Sequence, residues 1–205
     1  MHTILTISRQ FASGGHTIGR EAAKRLGIPC YDEQLIEYIS EQSGFTEDYL
    51  REDSERIKGG LASLLSPSGR EDAAMRRYVW NLQKPTLLEL AEREDCVIVG
   101  RCADYVLRDH ENVLNVFIKA SMEERVKRIE RLYGLDPLKA EESIRKADKQ
   151  RATYYNYYAT GTWGDVANYH LCMDTGVLGI DGTVELIRRA VELQQERAEE
   201  EKINW

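Results

Sequence analysis

The sequence predicts an α/β fold: a five-stranded parallel sheet with helices on both faces. Three observations carry this reading. Five short apolar runs, at residues 3–8, 29–31, 96–99, 114–118 and 170–173, alternate with stretches of helical periodicity. The first run passes through Ser13-Gly14-Gly15 into the helix REAAKRL, which is how a phosphate-binding loop is built. The chain has 205 residues, enough for one good core, so it is read as a single domain spanning 1–205.

The elements follow in order. The first helix ends at Gly27, and Pro29-Cys30-Tyr31 forms a short second strand. Asp32 caps the next helix, EQLIEYISEQS, which stops at Gly44. Residues 45–84 are polar and irregular, broken at Gly59-Gly60 and at Ser66-Pro67-Ser68-Gly69, with helical pieces near 46–57 and 71–82. A helix over 85–93 leads into the third strand, CVIV, and LNVFI is the fourth. Ser121 with Glu124 makes a capping box for MEERVKRIERLY, and Asp136-Pro137 opens a further helix with proline in its first turn. After the fifth strand, an amphipathic helix runs from Thr183 to about Lys202. Roughly 30 Å long, it is the candidate for homodimer contacts.

Composition sets limits. Hydrophobic residues make up 42% and charged residues 31%, ordinary values for a soluble globular protein. A net charge of −7 argues against a sequence-independent nucleic-acid binder. No apolar run approaches a membrane span and no signal peptide precedes Met1-His2-Thr3, so the expected location is cytoplasmic. The cysteines at 30, 96, 102 and 172 lack CxxC spacing and read as reduced thiols. Histidines lack metal-ligand spacing, and no nucleophile signature supports hydrolase chemistry.

Ligands in such sheets bind at the carboxyl ends of strands near the switch point. That gathers residues 8–17, Asp32, Gly100-Arg101 and the region after Ile118 into one cleft. Backbone N–H groups of Ser13, Gly14, Gly15, His16 and Thr17 can cradle a phosphate without any side chain. A Walker A motif would place lysine where this chain has Gly15. Arg9, His16 and Arg20 are the cations at hand to replace it, and Arg9, leaving the end of the first strand, is favoured over titrating His16 and outward-pointing Arg20. The Thr17 hydroxyl, or else that of Ser13, is the candidate Mg²⁺ ligand.

The pieces ISRQFASGGHTIGREAAKRLGIPCYD, VIVGRCADYVL, VFIKASMEERVKRI, DKQRATYYNYY and the W-x-D-x-x-N-Y-x-L segment at 163–171 together resemble the cytidylate kinase-like branch of the P-loop nucleoside monophosphate kinases. They occur in the expected order across nearly the whole chain. The resemblance implies a three-layer P-loop kinase fold with a mobile monophosphate-binding insert (45–84) and a lid (about 134–165). Against the usual loop G-x-x-G-S-G-K-G-T, Ser13, Gly14 and Thr17 match, while Arg9 replaces the first glycine and Gly15 the lysine.

From this follow the expectations for function. The chain is expected to transfer a phosphoryl group from ATP, with Mg²⁺, to a nucleoside monophosphate of cytidylate type. In the resembling kinases a Gly-Arg pair after the third strand contacts the monophosphate, which assigns Arg101. The aspartate that often follows it is Cys102 here, with Asp104 close by. Asp32 is placed at the acceptor or at Mg²⁺. Lys149 and Arg151 are cations a lid can close over the transferring phosphates. Tyrosines 154, 155, 157 and 158 cannot share one helical face and read chiefly as lid packing. The alternatives are a nucleotide-binding regulator without turnover, and a kinase for another small metabolite.

Overall fold

The computed structural model describes residues 2–32 and 67–203, with side chains from 77 onward in the second stretch. Five strands form one sheet: β1 (Ile4–Arg9), β2 (Cys30–Tyr31), β3 (Cys96–Val99), β4 (Val113–Lys119) and β5 (Leu171–Asp174). Their order is β2-β3-β1-β4-β5, and every pairing is parallel. The described helices are α1 (Gly15–Leu26), α2 (Pro67–Arg93), α3 (Ala103–Val106), α4 (Met122–Tyr133), α5 (Pro137–Tyr158) and α6 (Thr175–Ile203).

The alternation of each strand divides the core into two layers. Ile4, Cys96, Ile98 and Val113 face α2 and α3, packing with Leu87, Leu90 and Leu107. Leu5, Ile7, Val97, Val99, Val116 and Ile118 face α1 and α6, packing with Ile18, Ala22, Val184 and Ile187. The register Ile4↔Cys96 and Ile4↔Val113 keeps the two sets aligned across the sheet.

The expected strands lie within a residue of the observed ones. The helical expectations need three corrections. Ser68-Gly69 and Pro85 do not break the chain: α2 begins at Pro67 and runs through them. Thr86 Oγ1 donates to the Leu82 carbonyl beside the proline, at 2.9 Å. The last helix begins at Thr175 rather than Thr183, as two segments meeting at Gly179, whose extended positive-φ backbone (φ 66°, ψ 178°) interrupts the helix. The helices expected at 33–43 and 46–57, and residues 45–66 of the insert, lie outside the described residues.

Two predicted caps are present. Ser121 Oγ accepts from the Glu124 N–H at 3.2 Å, and Asp136 Oδ1 from the Leu138 N–H at 3.0 Å. Among the described residues no helix is long and apolar enough to cross a membrane.

Candidate active site

The turn from β1 into α1 is held from outside through its carbonyls. Arg151 donates to Arg9 O (3.0 Å), Arg125 to Phe11 O (3.4 Å), Arg128 to Ala12 O (2.8 Å) and Thr175 to Ser13 O (2.7 Å). Asp148 Oδ1 accepts the Phe11 N–H at 2.7 Å. With the carbonyls engaged, the N–H groups of Gly15, His16 and Thr17 open α1 without an acceptor among the described residues. No acidic side chain sits in that first turn, so the helix dipole is left for an external anion. Gly14 has φ 86°, and a Cβ there would stand 2.5 Å from Ile180 Cδ1.

Arg9 crosses this turn. A Cβ on Gly15 would lie 2.5 Å from Arg9 Cβ, and one on Gly100 would lie 1.8 Å from Arg9 Nη1. The two glycines leave the room that the arginine fills. Its guanidinium is 3.7 Å from Asp32 Oδ1. Burial lowers its pKa to about 9, and Arg151 and Arg101 push the same way, with Asp32 opposing. Two further arginines thus act on Arg9, with a single described acid among the charges that oppose them. Such a site is built to accept negative charge.

The other predicted residues divide clearly. Asp32 is 16% exposed and also contacts His16 Nε2 at 2.8 Å, so His16 is tied to the acid at the rim. Thr17 is exposed in the first turn, whereas Ser13 is fully buried and its hydroxyl donates to Gln10 O at 2.8 Å. Of the two hydroxyls, Thr17 is the one at the mouth. Arg20 is exposed. Lys149 is exposed on α5, while Arg151 reaches the loop and lies 5.6 Å from the centre of the Phe11 ring.

Arg101 follows Gly100 at the end of β3, in a run of three left-handed residues: Gly100 (φ 79°), Arg101 (φ 58°) and Cys102 (φ 53°). For the two non-glycine residues this conformation costs about 1–3 kcal/mol each. The Arg101 carbonyl accepts from Gln83 Nε2 at 2.7 Å. The Arg101 guanidinium has no acidic partner among the described residues.

Behind this turn lies a buried polar group. Asp104, 3% exposed, accepts from Tyr155 Oη (2.7 Å) and Ser8 Oγ (3.3 Å). Burial raises its pKa from the ordinary carboxylate value. Tyr158 stacks on Trp80 of α2 at 4.5 Å, Tyr154 packs on Tyr158, and Tyr157 is exposed. The tyrosines therefore bind α5 to the body of the protein.

Arg125, Arg128 and Asp148 lie inside the segments that carry the family resemblance, with no role assigned to them there, and Gln83 lies in no motif. Arg125 alone leaves a trace: it sits on the inward stripe of α4 between Met122 and Ile129, where a charge needs a partner. That partner is Asp148, 2.5 Å away on α5.

The profile of the cytidylate kinase-like family matches residues 4–177. The chain belongs to the cytidylate kinase-like family. A cytidylate kinase of Archaeoglobus fulgidus is 27% identical over 93% of this chain and 96% of its own length. The structure of an uncharacterized protein from Eubacterium ventriosum superposes with a TM-score of 0.71 at 26% identity, covering 93% of this chain and 99% of that one. A shikimate kinase from Bacteroides thetaiotaomicron has a TM-score of 0.55 at 17% identity, over 93% of this chain and 98% of its own, which shows the kinase fold alone. Membership in this family supports a nucleotide kinase.

Proposed function

We propose that the protein transfers the terminal phosphoryl group of ATP, with Mg²⁺, to a nucleoside monophosphate of cytidylate type. The packing of Arg9 across Gly15 at the open start of α1, with the charges of Arg151 and Arg101 acting on it, carries this reading. Phosphoryl transfer asks the protein mainly to position its reactants and neutralise charge. The N–H groups of Gly15, His16 and Thr17, with Arg9 in the role of the Walker lysine, hold the donor phosphates. Arg101 grips the acceptor phosphate with a fork of donors. Arg151, bridging α5 and the loop, offsets charge on the moving group. The polar mouth fits a hydrated metal–nucleotide complex, with Thr17 as the hydroxyl ligand and Asp32 on the acceptor side. Mg²⁺, when bound there, supplies further neutralisation of the phosphate oxygens.

The similarity to cytidylate kinases favours CMP as acceptor. The Gly100-Arg101-Cys102 turn lacks the usual aspartate, which favours testing neighbouring monophosphates beside it. Gly15 favours a second reading, a nucleotide-binding regulator without turnover. Arg101→Ala distinguishes them. It should lower acceptor kcat/KM by about 10²-fold or more, with stability held within about 0.5 kcal/mol. Unchanged acceptor kinetics would remove Arg101 from the site. ATP binding without product from any acceptor would favour the regulator.

A further inference from the structure

We infer that Gln83 is the positioning residue that sets Arg101 for the acceptor, an inference that rests on the proposed kinase reading. Gln83 lies in α2, eighteen residues before Arg101 in sequence, and is fully buried. It is a buried polar side chain on the helix whose Leu87 and Leu90 belong to the apolar layer. Its Nε2 donates to the Arg101 carbonyl at 2.7 Å. Its Oε1 has no donor among the described residues, so the amide stays buried against its own desolvation.

Such a group persists where it holds something that sterics oppose. The opposed feature is the turn itself: Arg101 and Cys102 both occupy the left-handed region without being glycine. The turn joins β3 to α3 and sets Arg101 near enough for its charge to act on Arg9. Releasing the carbonyl lets Arg101 relax to negative φ, and its side chain then moves away from Arg9. Gln83 touches neither substrate nor reacting atoms and acts through Arg101 alone.

The variant Gln83→Met keeps length and volume, removes the amide, and also removes the orphaned Oε1. Two readouts test the proposal. In the first, backbone chemical shifts and couplings of labelled protein report φ at Arg101. The left-handed signature should be present in the wild type and lost in Gln83→Met, with thermal stability preserved. In the second, acceptor KM should rise about tenfold while the KM for ATP stays unchanged. Gln83→Met should add nothing further in an Arg101→Ala background. A retained left-handed φ would overturn the proposal. So would equal effects on both substrates, or an effect fully additive with Arg101→Ala, since these are what a purely structural role gives. A wild type that phosphorylates nothing would defeat the kinase reading, while the φ measurement would still decide the role of Gln83.

Discussion

Arg9 occupies the space in front of Gly15: a Cβ on Gly15 would lie 2.5 Å from Arg9 Cβ and 2.8 Å from Arg9 Cγ. The residue that replaces the usual glycine and the glycine that replaces the usual lysine therefore form one unit. On the proposed reading, the cation at the phosphates comes from the strand rather than from the helix.

This makes Gly15→Lys a damaging change rather than a repair. The new side chain must displace Arg9 from a packed position, and overpacking of this kind costs about 1–3 kcal/mol. ATP affinity should fall in Gly15→Lys and recover in the double variant Arg9→Gly/Gly15→Lys. Titration of ATP into each protein checks it. A single variant that binds ATP as well as wild type would show that the two positions are independent.

Arg9 is also held at a cost in the absence of a bound anion. Its pKa is lowered from an ordinary value of 12.5 to about 9, so the folded state binds its proton less tightly than the unfolded state. The penalty is complete below about pH 9 and is relieved as pH rises toward the ordinary value. In a buffer free of phosphate and nucleotide, Arg9→Met should match or exceed wild-type stability at pH 7, by up to about 4 kcal/mol. The gap should narrow by pH 10, and ATP should restore more stability to wild type than to the variant. Chemical denaturation at the two pH values measures this. A variant less stable than wild type at pH 7 would contradict it.

The five strands and their alternation with helices were legible because they rest on local signals. Period-two apolar runs, Gly27, and the caps Ser121 and Asp136 each act within a few residues. What escaped was set by distant partners. Pro85 is carried through α2 by the packing of Leu87, Leu90 and Ala91, which no local rule reveals. Likewise Asp148 and Arg125 resemble solvated helix charges until α4 and α5 are brought side by side. Arg9 and Arg101 were readable from their places at strand ends. The left-handed turn that orients Arg101 was not, because neither Arg101 nor Cys102 favours that conformation.

The Arg125–Asp148 pair should behave as a buried ion pair, with side-chain exposures of 6% and 17%. Asp148→Ala leaves Arg125 charged and unpartnered and frees the Phe11 N–H, at a cost of about 3–5 kcal/mol. Adding Arg125→Met should recover most of that loss without recovering ATP affinity, because the loop has lost two anchors. Denaturation and ATP titration on the same two variants separate these effects. Recovery of binding in the double variant would show that the anchors do not shape the loop.

Asp104 offers a test by pH. Its pKa is raised from the ordinary 3.8, chiefly by burial, so the folded state holds its proton more tightly than the unfolded state. Stability is therefore greatest below the ordinary value and is lost as pH climbs through the raised one. Asp104→Asn retains an acceptor for Tyr155 and removes the charge. The variant should gain on wild type as pH rises from about 4, then hold a constant advantage. A difference that shrinks with rising pH would mean that the carboxylate is stabilised where it sits.

The central claim is that a phosphate loop without its lysine still runs phosphoryl transfer on a cation from β1. Product formation with Mg-ATP across a panel of nucleoside monophosphates, resolved by chromatography for wild type beside Arg9→Ala, tests it most directly. Conversion of CMP or a related monophosphate by wild type, lost in the variant, is the predicted result. Equal conversion by both proteins, or no conversion by a wild type that binds ATP, would contradict it.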